Sequence, residues 1–197
     1  MKNITQTNSI SKIEEFFYTN GWEPLSFQVE SWEAFLNGEN GIIQVPTGCG
    51  KTYAAIMGPL SKIENPKKNN SVNILLITPL KSLSRDLKNS IQLAALYFNK
   101  DITVEIRNGD TPPYEKKKQL KKPPNILITT PESLSLLLSN KESNNIFREL
   151  SSIVIDEWHE LMGSKRGNQC ELSLSWIRGN IKNCLLYTSP SPRDDIS

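Results

Sequence analysis

The stretch QVPTGCGKT, residues 44–52, lies between a short apolar run and the helix-like segment YAAIMGPL, residues 53–60. A glycine-rich loop that ends in Lys-Thr between a strand and a helix is typical of phosphate-binding loops. Gly48 and Gly50 allow the backbone torsions that direct N–H groups toward phosphate oxygens. The general pattern G-x-x-x-x-G-K-[ST] places a glycine at position 45, where this chain has Val45. Because Val45 can be the last strand residue, the loop stays competent; the alternative is a chance Gly-x-Gly-Lys-Thr turn.

The residues of this loop predict a site for a nucleoside triphosphate and Mg²⁺. The following helix adds the positive end of its dipole, and the Lys51 ammonium can reach the terminal phosphates. The Thr52 hydroxyl can hold Mg²⁺. The predicted nucleotide-binding residues of the loop are Pro46, Thr47, Gly48, Cys49, Gly50, Lys51 and Thr52.

Composition indicates one globular domain. The chain has 197 residues, 37% hydrophobic and 22% charged, with a formal net charge of +2. No global basic field is present, so a nucleic-acid binder would have to use a local surface; the lysine-rich segment 115–124 is one candidate, although such runs are usually solvated loops. The three cysteines lack metal-ligand spacing, and no leader or long apolar run is visible. We therefore predict a cytoplasmic, reduced protein without a membrane partner.

Apolar runs and amphipathic segments alternate along the chain. Most of the runs are continuously apolar, as strands buried on both faces are. They are GIIQV (41–45), VNILLIT (72–78), ITVEI (102–106), NILIT (125–129) and SIVID (152–156). Two helices are expected before or between them, one with a Ser11-to-Glu14 capping box and an end at Gly21, the other ending at Gly38. This alternation predicts an α/β fold, a three-layer domain with a mostly parallel sheet that binds ligands at the carboxyl ends of its strands.

Two acidic residues follow the last of these strands. Asp156 is placed to hold Mg²⁺, and Glu157 to accept a proton from the water that attacks the γ-phosphate. With Lys51 they form the predicted catalytic set. The alternative is a simple helix N-cap with favourable charge. His159 is the only histidine, and we do not assign it as a base.

The segments TPLKSL and TTPESL share one pattern, in which a strand is followed by threonine, proline and a helix. Thr78 and Thr130 suit N-caps, with Pro79 and Pro131 at the first helical position. Two exposed helix starts could grip successive phosphates of a nucleic acid without contacting its bases; alternatively, Thr-Pro only begins a helix. The candidate nucleic-acid residues are Thr78, Pro79, Lys81, Ser82, Gly109, Asp110, Thr111, Thr130, Pro131, Glu132 and Ser133.

As a set, P-T-G-C-G-K-T, T-P-L-K-S-L, G-D-T, T-T-P-E-S-L and D-E-W-H-E-L-M-G-S-K-R-G resemble superfamily 2 helicases. In that superfamily the first loop glycine is commonly a small apolar residue. G-W-E-P-L-S-F-Q and D-E-W-H followed by G-S-K-R-G resemble the Lhr-like group, particularly bacterial ligase-associated DEXH-box helicases. The resemblance implies a RecA-like P-loop NTPase lobe, ATP-driven movement along single-stranded DNA with separation of DNA–DNA or RNA–DNA duplexes, and partners in DNA repair such as a ligase. The alternatives are an RNA helicase or duplex translocase lobe, or a nucleic-acid-binding fragment that does not turn over ATP. The resemblance also implies that Gln28 contacts adenine, with Trp22 or Phe27 nearby.

The chain departs from this family toward its end. The family requires a second RecA-like lobe that supplies arginine fingers, and the Ser-Ala-Thr motif that should precede it is absent. CLLYTSPSPRD resembles a translated transposase-type sequencing adapter, the alternative being a genuine Pro-rich tail. We therefore expect a loose tail over 1–9, an incomplete ATP-binding lobe over 10–183, and a non-native tail over 184–197 that is excluded from the fold.

Overall fold

The computed structural model describes residues 4–46, 48–68, 70–79 and 84–189. The helices are α1 Ile4–Thr19, α2 Ser26–Leu36, α3 Lys51–Leu60, α4 Ser84–Phe98, α5 Pro113–Lys121, α6 Pro131–Leu138, α7 Ser143–Ile146 and α8 Lys165–Asn180. The strands are β1 Gly41–Ile42, β2 Ile74–Ile77, β3 Val104–Arg107, β4 Ile126–Thr129, β5 Ser152–Asp156 and β6 Leu185–Ser189. Within these ranges, no helix combines the length and apolar character that crossing a membrane requires.

The strands form one parallel sheet in the order β1-β6-β5-β2-β4-β3. At its centre, Leu75 lies opposite Leu127 on one side and Ile153 on the other. All four positions of β2 and of β4 are buried, which explains why their sequences are apolar apart from Thr129, whose buried hydroxyl donates to the Arg107 carbonyl at 2.7 Å. The predicted α/β fold with a mostly parallel sheet is confirmed.

Helices cover both faces of the sheet and divide the core into two clusters. Successive side chains of β2 point to opposite faces, so Ile74 and Leu76 join one cluster while Leu75 and Ile77 join the other. The first cluster is completed by α1 to α4, and the second by α6, α7 and α8. The result is the predicted three-layer arrangement, with strand ends free to carry a site at one edge.

The first helix begins earlier than the capping-box pattern predicts. α1 starts at Ile4, so Ser11 lies inside it, and residues 4–9 are not a loose tail. The early turns are anchored because the Gln6 side chain donates a hydrogen bond to the Leu36 carbonyl at 2.9 Å. The predicted end of the helix is confirmed, because Gly21 follows α1 with φ +72°.

The segment after residue 183 enters the sheet, contrary to its predicted exclusion. Residues 185–189 form β6 between β1 and β5. The Tyr187 side chain is 1% exposed, and its hydroxyl donates to the Glu39 carbonyl at 2.6 Å. The physical reason is that β1 and β5 each present an unpaired edge, which a short apolar strand can bridge. Whether residues 184–197 are native is a separate question and stays a prediction; residues 190–197 lie outside the described part.

Candidate functional site

The phosphate-type loop runs from the end of β1 to the start of α3. β1 ends at Ile42, earlier than predicted, and α3 begins at Lys51. Gly48 and Gly50 have φ values of +84° and +82°, which side-chain-bearing residues rarely adopt. A Cβ on Gly48 would meet no atom within 4 Å, whereas one on Gly50 would lie 2.6 Å from the Gln28 side chain. Gly48 is therefore needed for its torsion, and Gly50 for both torsion and space. Thr47 lies outside the described residues.

The Gln28 side chain, on α2, hydrogen-bonds the loop. It is 3% exposed, its Oε1 accepts from the Leu25 N–H at 2.9 Å, and its Nε2 donates to the Gly50 carbonyl at 3.2 Å. A direct contact of Gln28 with adenine stays a prediction. Trp22 is 40% exposed and packs on Tyr53, at the start of α3, with ring centroids 5.6 Å apart. Trp32, by contrast, is fully buried, as expected of a core residue.

The Lys51 ammonium is the clearest sign that the loop is built for an anion. The residue is 8% exposed, and its Nζ has no hydrogen-bond partner. Its nearest described counter-charge is the Glu157 Oε1 at 3.8 Å, which is beyond hydrogen-bonding range. A buried ammonium that lacks acceptors is costly. Phosphate oxygens in the loop would supply those acceptors, so the residues present fit a bound nucleotide.

The acidic pair lies beside this loop, at the carboxyl end of β5. Asp156 is the last residue of the strand, and its Oδ1 accepts from the Ser189 hydroxyl at 2.9 Å. Glu157 has φ 50° and ψ 47°, a left-handed conformation that costs on the order of 1 kcal/mol for a residue with a Cβ. Its carboxylate makes no capping hydrogen bond to the 3₁₀ turn Trp158–Glu160. The alternative of a simple N-cap is therefore not supported, and the strained turn aims Glu157 at Lys51.

His159 contacts the acidic turn from the other side. Its Nδ1 lies 3.3 Å from Glu157 Oε2, and its Nε2 lies 3.2 Å from Glu160 Oε1. A neutral imidazole carries one N–H and can donate to only one of these carboxylates, while an imidazolium can donate to both. This placement gives His159 a supporting position for Glu157.

The loops that carry the candidate nucleic-acid residues follow neighbouring strands β2, β4 and β3, on the same edge as Asp156. After β4 the predicted helix start is confirmed. Thr130 is the N-cap of α6, its Oγ1 accepts from the Ser133 N–H, and Pro131 is the first helical residue. After β2, Pro79 lies in a bend and is not the first helical residue that the sequence predicts; residues 80–83 lie outside the described part. The Pro79 carbonyl accepts from Arg166 Nη2 at 2.6 Å.

Several of the predicted contact groups do not face solvent. Thr78, Thr130 and Ser133 are all buried, so their hydroxyls are not at the surface. Gly109 and Asp110, in the loop after β3, are exposed, while Thr111 is buried and its Oγ1 accepts from the Asn108 N–H. Lys81 and Ser82 lie outside the described residues.

A cavity of about 820 Å³ opens beside the loop that follows β3. Its walls include Arg85 and Lys88 of α4 and Lys118 of α5. Glu105, Asp110 and Glu115 also line this cavity, so its walls carry acidic and basic groups in equal number. The sequence had indicated the lysines of α5 but not the pair on α4.

Arg166 is a further site residue that the sequence reasoning missed. It lies in the first turn of α8, and its guanidinium bonds both carboxylate oxygens of Glu132 as well as the Pro79 carbonyl. Glu132, predicted to contact nucleic acid, therefore has its carboxylate occupied within the protein. Only the SKRG quartet after the acidic turn pointed to this region, and sequence spacing did not indicate the partner.

The cysteines offer no alternative chemistry. All three are free, and burial raises the pKa of the Cys170 and Cys184 thiols to about 12. Neither is ionised near neutral pH. Among the described residues, no group of three or more His, Cys, Asp or Glu side chains is arranged to hold a metal.

A parallel sheet with a phosphate-type loop after its first strand and an acidic pair after its fifth defines a P-loop nucleotide-binding domain. The DEAD/DEAH box helicase family matches residues 25–195, and the chain belongs to that family. It is 32% identical over 172 residues to an Lhr helicase of Mycolicibacterium smegmatis, covering 81% of this chain and 11% of that protein. It is 36% identical over 152 residues to the ATP-dependent helicase Lhr-Core of Saccharolobus solfataricus, covering 72% of this chain and 17% of that protein.

Structural comparison agrees with the sequence relatives. The Mycobacterium smegmatis helicase Lhr, solved with ssDNA and AMP-PNP, matches 92% of this chain and 24% of its own, with a TM-score of 0.82 and 29% identity. The predicted resemblance to Lhr-like helicases and the RecA-like fold are thereby confirmed. The chain spans less than a fifth of the length of the two sequence relatives.

Proposed function

We propose that this chain is the ATP-binding motor lobe of an Lhr-like helicase that acts on nucleic acid, with DNA as the preferred substrate. The observation that carries the proposal is the buried, acceptor-deficient Lys51 ammonium 3.8 Å from Glu157, at the end of a glycine-rich loop. Such a group fits the terminal phosphates of a nucleotide. The solved Lhr relative with AMP-PNP and ssDNA supports the choice of ligands.

Within the proposed site, each side chain has a separate task. Lys51 and the loop N–H groups would bind the phosphates, with Gln28 supporting the loop through Gly50. Thr52 and Asp156 would hold Mg²⁺, an ion that commonly retains several waters and needs few protein ligands. The ion, when bound, neutralises charge that develops on the phosphates. Glu157 would accept the proton of the attacking water, with His159 keeping its carboxylate in place.

The nucleic-acid strand would lie across the ends of β2, β4 and β3. Support comes from the exposed Gly109–Asp110 loop and from Arg85, Lys88 and Lys118, which lie among the mixed-charge walls of the adjoining cavity. These contacts involve backbone phosphates, so the surface should bind without strong sequence preference. In the parent protein, a second RecA-like lobe and DNA repair proteins would be the partners, in the cytoplasm.

Nucleotide binding by the 197-residue chain tests the proposal directly. We expect a fluorescent ATP analogue with Mg²⁺ to bind the chain and to bind Lys51→Met at least about 10-fold more weakly, since a buried charge-assisted contact is lost. Lys62→Met is the matched control, because Lys62 is an exposed lysine just beyond the same helix. Equal affinity of the wild-type chain and Lys51→Met would refute the nucleotide site.

Turnover separates binding from chemistry. Glu157→Gln should keep nucleotide affinity within about twofold and lose hydrolysis, because the amide cannot accept the water proton. Hydrolysis by the chain itself should be slow, since an arginine finger from another lobe is worth about 10³-fold or more. A single-turnover assay at high protein concentration measures this; unchanged turnover in Glu157→Gln would contradict its assignment as the base.

A further inference from the structure

Arg166 joins three segments that are remote in sequence. Its Nε and Nη2 bond the two carboxylate oxygens of Glu132, in the first turn of α6, and Nη2 also donates to the Pro79 carbonyl at 2.6 Å. Glu132 and Pro79 belong to the two segments whose neighbours are candidate nucleic-acid contacts. Arg166 belongs to the segment that directly follows the acidic pair. One guanidinium thus connects the nucleic-acid side of the proposed site to the nucleotide side.

Hydrogen bonds and a close backbone contact join the start of α8, which carries Arg166, to the acidic turn. The Ser164 hydroxyl donates to the Leu161 carbonyl at 2.7 Å and accepts from the Gly167 N–H at 3.1 Å. Leu161 is fully buried and follows the 3₁₀ turn that begins after Glu157. A Cβ on Gly167 would lie 2.1 Å from the Leu161 carbonyl oxygen, so the start of α8 is pressed against that turn. A displacement of the acidic turn would therefore be passed on to Arg166.

The charge of the pair also suits this role. The Glu132 carboxyl is partly buried, which alone would raise its pKa, but hydrogen bonds from Arg166, the Glu132 backbone and Thr130, together with the Arg166 charge, lower its pKa overall. Glu132 is thus an anion matched by a cation. Without Arg166, an unmatched carboxylate would stand beside the surface proposed to bind nucleic-acid phosphates, and like charges repel.

We propose that Arg166 is a positioning residue that couples nucleotide occupancy to nucleic-acid binding by tying α6 and the Pro79 segment to the loop after the acidic pair. The inference rests on the proposed function, since it assigns a role between its two sites. Coupling of this kind is reciprocal: nucleic acid changes ATP affinity by the same factor as ATP changes nucleic-acid affinity. Arg166 need not touch either ligand.

The test measures that factor in the 197-residue chain. A labelled oligo-dT is titrated with and without saturating ATP analogue and Mg²⁺, and the ratio of the two dissociation constants is the coupling factor. Wild-type chain should give a factor within the usual range of about 5 to 150. Arg166→Gln should bring it close to 1 while leaving the affinity for the nucleotide alone within about twofold. Arg166→Lys, which keeps the charge but loses the fork, should retain part of the factor.

Two controls isolate the contact. Lys165→Gln removes the same charge from the same helical turn, where the side chain is exposed, and should leave the factor unchanged. Glu132→Gln should resemble Arg166→Gln, and the double variant should be no worse than either single one, because the two groups act as a unit. A coupling factor in Arg166→Gln equal to that of wild type would overturn the inference.

Amide exchange gives a second measurement that needs no ligand. Arg166→Gln should speed exchange in the first turn of α6 but not in α1 or α2, which lie on the other face of the sheet. If wild-type chain fails to bind oligo-dT, the proposed nucleic-acid function fails, and the coupling role fails with it. If wild-type chain binds and the α6 exchange is unaffected by the variant, the tie itself is refuted and the proposed function stands.

Discussion

Two glycines of α8 should respond in opposite ways to the same substitution. Gly167 lies in the first turn, where an added Cβ would be 2.1 Å from the Leu161 carbonyl oxygen and 3.0 Å from its carbonyl carbon. Gly179 lies near the end of the helix, where no atom is within 4 Å of an added Cβ. A change of either glycine to alanine adds the same methyl group, so only the surroundings differ.

The magnitude for Gly167→Ala follows from the contact. Ordinary van der Waals contact starts at about 3.4 Å, so the backbone must separate by roughly 1 Å, and overpacking of this kind costs about 1–3 kcal/mol. The shift also strains the Ser164 cap, which accepts from the Gly167 N–H, and loss of a cap costs about 1 kcal/mol. We expect a decrease of about 2–4 kcal/mol in the free energy of unfolding, a large share of the stability of a domain this size.

Gly179→Ala should instead raise the free energy of unfolding by about 0.4–1 kcal/mol. The added methyl meets nothing, and the unfolded chain loses conformational freedom. Urea unfolding followed by circular dichroism gives both values on one scale. If Gly167→Ala were as stable as the wild-type chain, the close packing of α8 on the acidic turn would be wrong, and with it the support assigned to Arg166.

Three further predictions concern the last strand and the alkaline limit of the fold. Burial raises the pKa of Tyr187, Cys170 and Cys184 to about 12, so each of these groups ionises more readily in the unfolded chain. The stability that they contribute should therefore be complete below about pH 9 and should decrease as the pH rises toward 12. Thermal melts across that pH range measure the decrease. Tyr187→Ala should cost about 3–5 kcal/mol in urea unfolding, whereas Thr188→Ala on the same strand should cost far less. Deleting residues 184–197 leaves β1 and β5 without their partner strand and should lower the unfolding midpoint; an unchanged midpoint would mean that β6 does not stabilise the domain.

The central sheet could be predicted from sequence because its strands are buried on both faces. Such strands are apolar at nearly every position, so Ile74–Ile77 and Ile126–Ile128 stand out without any knowledge of their partners. The nucleotide loop was equally accessible, since its glycine torsions and its Lys-Thr ending are local requirements. The acidic pair followed from a rule about strand ends, which places it on the loop's edge of the sheet.

Other features depend on contacts that local sequence does not encode. Glu132 and Arg166 are 34 positions apart, and their pairing is set by how α6 and α8 pack. The same guanidinium donates to the Pro79 carbonyl, 87 positions away, a contact that sequence spacing likewise does not indicate. The early start of α1 likewise depends on Gln6 docking onto the end of α2.

The last strand, β6, contributes a side chain to the candidate site although it is remote in sequence. β6 supplies the Ser189 hydroxyl that bonds Asp156, while Lys51 and His159 approach Glu157. Three elements therefore contact the acidic turn: β6 through Ser189, α3 through Lys51, and the start of α8 through the close approach of Gly167 to Leu161. Ser189→Ala tests the contact itself: it should leave nucleotide affinity without Mg²⁺ unchanged and alter its Mg²⁺ dependence, because only the orientation of Asp156 is changed.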